Sequence, residues 1–248
     1  MIMPSSDPFE KYASYYSLTP HDDRSRREFF RILIDKHKIS TILDCACGTG
    51  DDLILLNSLG VDIWGSDISD AMLAEARRKL GMGGIDIPLN RVDFRELHRH
   101  FEQSFDAILC LTTSLPQLGG ETEIKKALSS MRAILSPQGI IVISQGMTDR
   151  QFHSRERFFP IINTENHTRI MVVDYYEKEW EAHVLDLFRS GEKTDFQIYS
   201  FRYLTLLEDD YIRLLKETGF DTIDIYGGFC FDKYDKEKSN GLVIVARR

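Results

Sequence analysis

A doubly wound α/β sheet carrying an inserted antiparallel β lid is the fold class that three observations predict. Strand-like and helix-like segments alternate from residue 23 to residue 145, the pattern of a parallel sheet with helices on both faces. A loop with Gly48 and Gly50 follows the first strand and opens a helix, which makes the sheet Rossmann-like. After Ser144 the apolar period shortens into long β-rich runs with no helix between them. A chain of 248 residues with 42% apolar side chains suits one domain with such an insertion better than two large domains.

Each element follows from its pattern. Residues 27–37 place Phe29, Phe30, Ile32, Leu33 and Ile34 at roughly helical spacing, and residues 39–44 read as a buried strand ending on Asp44. A helix opens near Asp51 with Leu53, Leu55 and Leu56 on one side. Residues 61–67 form the second strand, and Ser69 or Asp70 caps a helix running through Met72, Leu73 and Leu80. The third strand is 87–92, the fourth 105–111 and the fifth 139–144, with a helix at 124–135. The runs 169–176, 180–188 and 196–206 pair as an antiparallel sheet. Residues 209–218 form an amphipathic helix closed by Gly219, and 222–226 and 242–246 complete a seven-stranded sheet. The core therefore takes residues 1–149 and 207–248, with the lid at 150–206. A lid beside the carboxyl ends of parallel strands is where substrate selection belongs.

Composition removes several function classes. Asp and Glu number 39 against 31 Lys and Arg, a net charge of −8, and counterion release at nucleic acid needs the opposite sign. Cys45, Cys47, Cys110 and Cys230 lack Cys-x-x-Cys spacing, so a reduced compartment is expected; the seven histidines show no ligand spacing, so no metal is expected. Residues 1–10 offer no basic region followed by an apolar stretch, and no run of ~18 apolar residues occurs, so the expectation is a cytoplasmic protein without a membrane partner. Tyr234 and Lys238 match a Tyr-x-x-x-Lys dehydrogenase pattern by chance, since they lie in a polar loop near the C-terminus.

The chemistry-bearing segment is Asp44-Cys-Ala-Cys-Gly48-Thr-Gly50 between strand and helix. Its glycines sit where backbone approaches a ligand facing the helix N-terminus. Asp67 ends the next strand, where a carboxylate accepts hydrogen bonds from ribose hydroxyls. A dinucleotide site wants a third small residue at position 53, but the chain has Leu53 there, after Asp51 and Asp52. Two carboxylates at a helix N-terminus repel a pyrophosphate and tolerate a sulfonium, so S-adenosylmethionine suits the loop better than NAD.

The stretch Thr41-Ile-Leu-Asp-Cys-Ala-Cys-Gly-Thr-Gly-Asp-Asp-Leu-Ile-Leu-Leu56, followed by Gly65-Ser-Asp-Ile-Ser-Asp-Ala-Met-Leu73, resembles the first two motifs of class I S-adenosylmethionine-dependent methyltransferases. Within them the chain is similar to the glycine and sarcosine N-methyltransferases, through Asp23-Arg-Ser-Arg26, Cys110-Leu-Thr-Thr-Ser-Leu-Pro-Gln-Leu118 and Phe201-Arg-Tyr203. The resemblance implies that the backbone of Ala46, Gly48 and Gly50 holds the methionine part of the cofactor and that Asp67 holds the ribose. It implies Met72 packed on the adenine, Asp93 and Phe94 at the base, and Leu111 as a backbone contact beside the sulfonium. Arg26 matches a ligand of the cofactor carboxylate, where a guanidinium binds two oxygens at once. Tyr12 matches a tyrosine that closes over the methyl group.

Departures from the family bear on the acceptor. Thr112-Thr113-Ser114 replaces a Gly-Asn-Ser sequence, and Gln145-Gly146 replaces a His-Arg pair whose arginine grips the amino acid carboxylate. Such a loss forfeits on the order of 2–5 kcal/mol. Either Arg202 or Arg150 substitutes for it, or the acceptor is not glycine. Gln117 and Arg202 are the expected substrate contacts, and the hydroxyls of Tyr12, Thr113 and Tyr203 are expected to orient the amine for in-line transfer. The expected activity is methyl transfer to the amine of a small molecule such as glycine, sarcosine or a related amino acid. A small-molecule O-methyltransferase and a non-catalytic cofactor-binding protein stay open. A nucleic-acid base methyltransferase is disfavoured, because Ser114-Leu-Pro116 does not match the Asn/Asp-Pro-Pro-aromatic clamp. Eleven residues precede Tyr12, fewer than the arm that bridges the glycine enzyme's tetramer, so a monomer or a dimer is expected.

Overall fold

The computed structural model describes residues 9–19 and 22–248. Residues 1–8, which carry most of the leader and arm readings, lie outside the described residues. The chain opens with a one-turn helix, α1 (Ala13–Tyr16), and then α2 (Asp23–His37). α2 starts before the expected residue 27 because the Asp22 carboxylate accepts the Ser25 N–H and caps it. β1 (Thr41–Asp44), α3 (Asp51–Asn57), β2 (Asp62–Asp67), α4 (Asp70–Met82), β3 (Leu89–Arg91), α5 (Leu97–His100), β4 (Phe105–Cys110), α6 (Glu121–Ala133) and β5 (Leu135–Gln145) follow. Ser69 rather than Asp70 is the cap of α4, its hydroxyl accepting the Met72 N–H.

After β5 come α7 (Asp149–Ser154), β6 (Phe158–Asn163), β7 (His167–Tyr175), β8 (Glu179–Ser190) and β9 (Lys193–Leu204), then α8 (Glu208–Glu217), β10 (Thr222–Tyr226) and β11 (Leu242–Arg247). The main sheet has the order β10-β11-β5-β4-β1-β2-β3. β11 runs antiparallel to both its neighbours, while the pairs among β1 to β5 are parallel. This is the doubly wound seven-stranded sheet that the alternation predicts.

Period-two alternation builds the three layers. In β5, Ile141 and Ile143 join Ile108, Cys110, Leu242 and Ile244 on the face covered by α6 and α8; Ile140 and Val142 join Ala107, Leu109 and Val243 under α2, α3 and α4. The sheet reverses its winding between β1 and β4, so the loops after β1, β2 and β4 open at one edge. That crevice is where a doubly wound sheet binds its ligand.

The inserted sheet has the order β6-β7-β8-β9, antiparallel throughout. One face packs Val184, Tyr199 and Phe201 on Tyr12, Ala13 and Met72, and Val173, Trp180 and Ala182 on Met147. An ion pair crosses β7 and β8 where Arg169 and Asp186 stand opposite each other. Arg169 is 1% exposed and Asp186 0%, so this pair is enclosed by the packing of α1 on the sheet. The guanidinium donates to Asp186 at 2.7 and 2.8 Å, to the Thr19 hydroxyl at 2.8 Å and to the Tyr15 carbonyl at 2.9 Å. The N-terminal segment is thereby tied to the inserted sheet.

Candidate active site

A cavity of about 710 Å³ runs from the glycine loop, past Asp67 and Met72, to Asp93 and Phe94 on one side and under the inserted sheet on the other. Gly48 turns with φ +50°, and its N–H donates to Asp67 at 2.9 Å. The second Asp67 oxygen accepts the Ser69 N–H at 2.9 Å. These bonds hold the carboxylate at the cavity wall with the loop and the start of α4 oriented around it. Ala46, Gly48, Tyr16 and Thr112 also border a recess of about 30 Å³ against Arg26. Arg26 is buried, bonded to Asp52, and its guanidinium lies 4.4 Å from the centre of the Phe229 ring.

Two acids expected to repel a pyrophosphate have cationic partners. Asp52 meets Arg26, and Lys79 lies 2.7 Å from Asp51. Asp44 differs from both: burial, with the Asp52 and Asp67 carboxylates nearby, pushes its carboxyl well above the usual range. A cationic ligand seated at the loop would relieve that group. A cavity with the Asp67 carboxylate at its wall, an apolar side chain at Met72 and a buried acid beneath the loop offers groups that fit S-adenosylmethionine.

The expected residues sort by position. Ala46, Gly48, Asp67, Met72, Asp93, Phe94, Tyr12, Thr113, Gln117 and Tyr203 all line the cavity. Asp93 does so with its carboxylate bonded to Arg95, which outweighs burial and holds its pKa below the ordinary value. Gly50 lies behind the wall: its φ of +81° starts α3, and an added Cβ would stand 3.2 Å from Ala76. Leu111 is core, and its carbonyl accepts the Ser114 hydroxyl at 2.8 Å. Arg202 is placed away from the cavity. Alternation along β9 turns Phe201 and Tyr203 inward and Arg202 outward, where it is exposed beside Glu179 and Glu181.

Thr112 and Thr113 have φ of +57° and +66°, a left-handed pair that β-branched residues rarely adopt. β5 enforces it: Thr112 N–H donates to the Ser144 hydroxyl at 3.0 Å, Thr113 N–H to the Ser144 carbonyl at 2.9 Å, and Gly146 N–H to the Thr113 hydroxyl at 3.1 Å. With that oxygen accepting from Gly146, the Thr113 hydroxyl offers a ligand its proton. Tyr16 and Arg169 also line the cavity without having been expected there. Tyr16 follows Tyr12 by four residues, the spacing that stacks two side chains on one helical face, and their rings meet at 5.7 Å. Arg169 had no local signal, because its partners lie in distant segments.

Burial raises the pKa of Tyr12, Tyr16 and Tyr203, so these phenols stay protonated. No histidine, lysine or glutamate lines the cavity among the described residues.

A family model described as a methyltransferase domain matches residues 42–139. The glycine/sarcosine N-methyltransferase of Halorhodospira halochloris is 31% identical over 216 residues, covering 83% of this chain and 75% of that one. Its counterpart from Aphanothece halophytica is 28% identical over 228 residues, with coverage of 90% and 82%. Among solved structures, an S-adenosylmethionine-dependent methyltransferase from Clostridium acetobutylicum superposes with a TM-score of 0.82 at 18% identity, over 96% of this chain and 98% of that one. The S-adenosylmethionine-bound amino pentose methyltransferase CalS10 from Micromonospora echinaspora gives 0.74 at 19%, with coverage of 96% for each chain. At such identity these last two are likenesses of fold.

Proposed function

We propose a reaction from one premise: this chain belongs to the class I S-adenosylmethionine-dependent methyltransferases. The acceptor we infer is the amine nitrogen of a small molecule. The observation that carries this reading is that the carboxylates on the described cavity wall, Asp67 and Asp93, are already bonded, to the Gly48 and Ser69 N–H groups and to Arg95, while no histidine, lysine or glutamate lines it and its tyrosines are held protonated by burial. A hydroxyl acceptor needs a base to become a good nucleophile, whereas a neutral amine brings its own lone pair. The relatives named as N-methyltransferases support the same choice.

When bound, the cofactor supplies a methyl group on a positively charged sulfur. Nitrogen forms the new N–CH3 bond as the S–CH3 bond breaks, sulfur keeps the bonding pair, and the product ammonium releases its proton to water. The protein's part is position. Ala46 and Gly48 would hold the methionine part of the cofactor and Asp67 its ribose, with Arg26 at the carboxylate end, while Tyr12, Thr113 and Tyr203 would supply hydroxyls around the acceptor. Alignment of two reactants is worth roughly 7–11 kcal/mol of barrier, and an apolar enclosure favours the unprotonated amine.

Purified protein given methyl-labelled S-adenosylmethionine and matched panels of amines and alcohols should yield N-methyl products by mass spectrometry. Label appearing only on oxygen would replace the amine reading, and cofactor binding without transfer to either panel would favour a non-catalytic binder.

A further inference from the structure

The acceptor half of the cavity has a chemistry of its own. Phe159, Met171, Val173, Trp180 and Tyr203 wall it from the inserted sheet, with Met147 from the loop after β5. Trp180 and Tyr203 stack at 4.2 Å with 16° between their planes, presenting a flat aromatic surface. The polar groups of this half are neutral ones, Thr113, Ser114, Gln117, Gln151 and Asn240.

Positive charge is present at the wall but already engaged. Arg91 lies 2.9 Å from Asp70, Arg95 is bonded to Asp93 and Glu123, and Arg169 is enclosed with Asp186. The position of the family's carboxylate-gripping arginine is Gly146, which lines the cavity with no side chain. The preceding Gln145 is turned into the core, donating to the Met147 and Leu206 carbonyls at 2.7 Å each and accepting from the Tyr211 hydroxyl at 2.9 Å. Arg150 is not a lining residue; its guanidinium donates to the neutral amide of Asn240, and its buried Nε has no hydrogen-bond partner among the described residues. A carboxylate brought into this half would lose its hydration and find no cation among the lining residues that is not already paired with a carboxylate, a penalty that disfavours it more strongly than an apolar group of equal size.

Resting on the amine reading above, we propose that the acceptor is an amine carried on an uncharged, predominantly apolar skeleton, seated against Trp180 and Tyr203, and not a free amino acid. Two properties of the wall select it: area contact with the aromatic pair, and rejection of a desolvated carboxylate.

The test compares phenethylamine with phenylalanine, which share a skeleton and differ by the carboxylate, and both with glycine and sarcosine. Binding is measured by calorimetry on protein saturated with S-adenosylhomocysteine, and transfer is measured with labelled methyl donor. Phenethylamine is expected to bind and accept methyl with kcat/KM at least a hundredfold above phenylalanine and glycine. Arg150→Ala should leave that ratio unchanged. Glycine or phenylalanine methylated as efficiently as phenethylamine would overturn the proposal while leaving amine transfer intact, and a selective loss of carboxylate acceptors in Arg150→Ala would overturn it by naming the missing cation. Phenethylamine binding tightly without accepting methyl would keep the apolar subsite and sink the amine reading. No binding of phenethylamine to the loaded protein would sink the subsite.

Discussion

Thr112 and Thr113 show what a single residue choice costs and where it is repaid. The family's Gly-Asn sequence at these positions is what two successive left-handed residues prefer, and threonine pays on the order of 1–3 kcal/mol per residue to adopt the same backbone. Thr112→Gly should therefore raise stability by about 1 kcal/mol in urea unfolding, yet lower turnover, because the Thr112 side chain meets the Tyr16 hydroxyl. Asp44 makes a second prediction. Its folded pKa lies above the unfolded value of about 3.9, so the stability it contributes is present in acid and fades as pH climbs above about 4 through the folded pKa. Asp44→Asn should flatten that decline, seen as a difference in Tm between wild type and variant that widens as pH rises above about 4, while weakening binding of the cationic S-adenosylmethionine more than that of S-adenosylhomocysteine. The tyrosines run the other way in consequence. Because burial raises their pKa, kcat/KM should climb as the acceptor amine loses its proton, with no fall from tyrosine ionisation up to about pH 10. The adenosyl side of the site was legible because backbone turns and a strand-end carboxylate leave fixed spacings in the chain. The acceptor side was not, since β9 alternation decides whether Tyr203 or Arg202 faces inward, and that depends on which face of the inserted sheet is covered.

Most strands and multi-turn helices were readable from the sequence, and single-turn helices were not. β1 to β5, α4, α8 and the three long lid strands lie within a few residues of their expected bounds, because each carries a full apolar period. α1 and α5 have four residues each, too few for a period to register. β6 contains Pro160, which argues against a strand except at a sheet edge, and β6 is such an edge, with its register shifting between Pro160 and Ile162. α7 left a usable trace, the Thr148-to-Gln151 capping box. Between elements, the Arg169–Asp186 pair is a buried ion pair of the inserted sheet. Arg169→Met leaves the buried Asp186 carboxylate with the His167 imidazole at 2.6 Å but without its two guanidinium bonds, and should cost about 3 kcal/mol, roughly ten degrees in Tm for a chain this size. Arg169→Met combined with Asp186→Leu should recover most of that loss in thermal unfolding, since an apolar pair of similar volume fits a buried site. A double variant no more stable than the single one would show that Asp186 is not what makes the single change costly.

The N-terminal segment, the main sheet and the inserted sheet meet at one crevice, so ligand and fold are coupled. Saturation with S-adenosylhomocysteine at a hundred times its Kd should add about 2.7 kcal/mol of stability, measurable as a concentration-dependent Tm. The tether between the N-terminal segment and the inserted sheet carries a further implication. Arg169 donates to the Thr19 hydroxyl and the Tyr15 carbonyl while Tyr12 and Tyr16 line the cavity, so the N-terminal segment and the inserted sheet are cross-linked beside it. Spent donor and finished product then leave through the same opening, and a change that loosens the tether should quicken both departures in equal measure when each is followed by stopped flow.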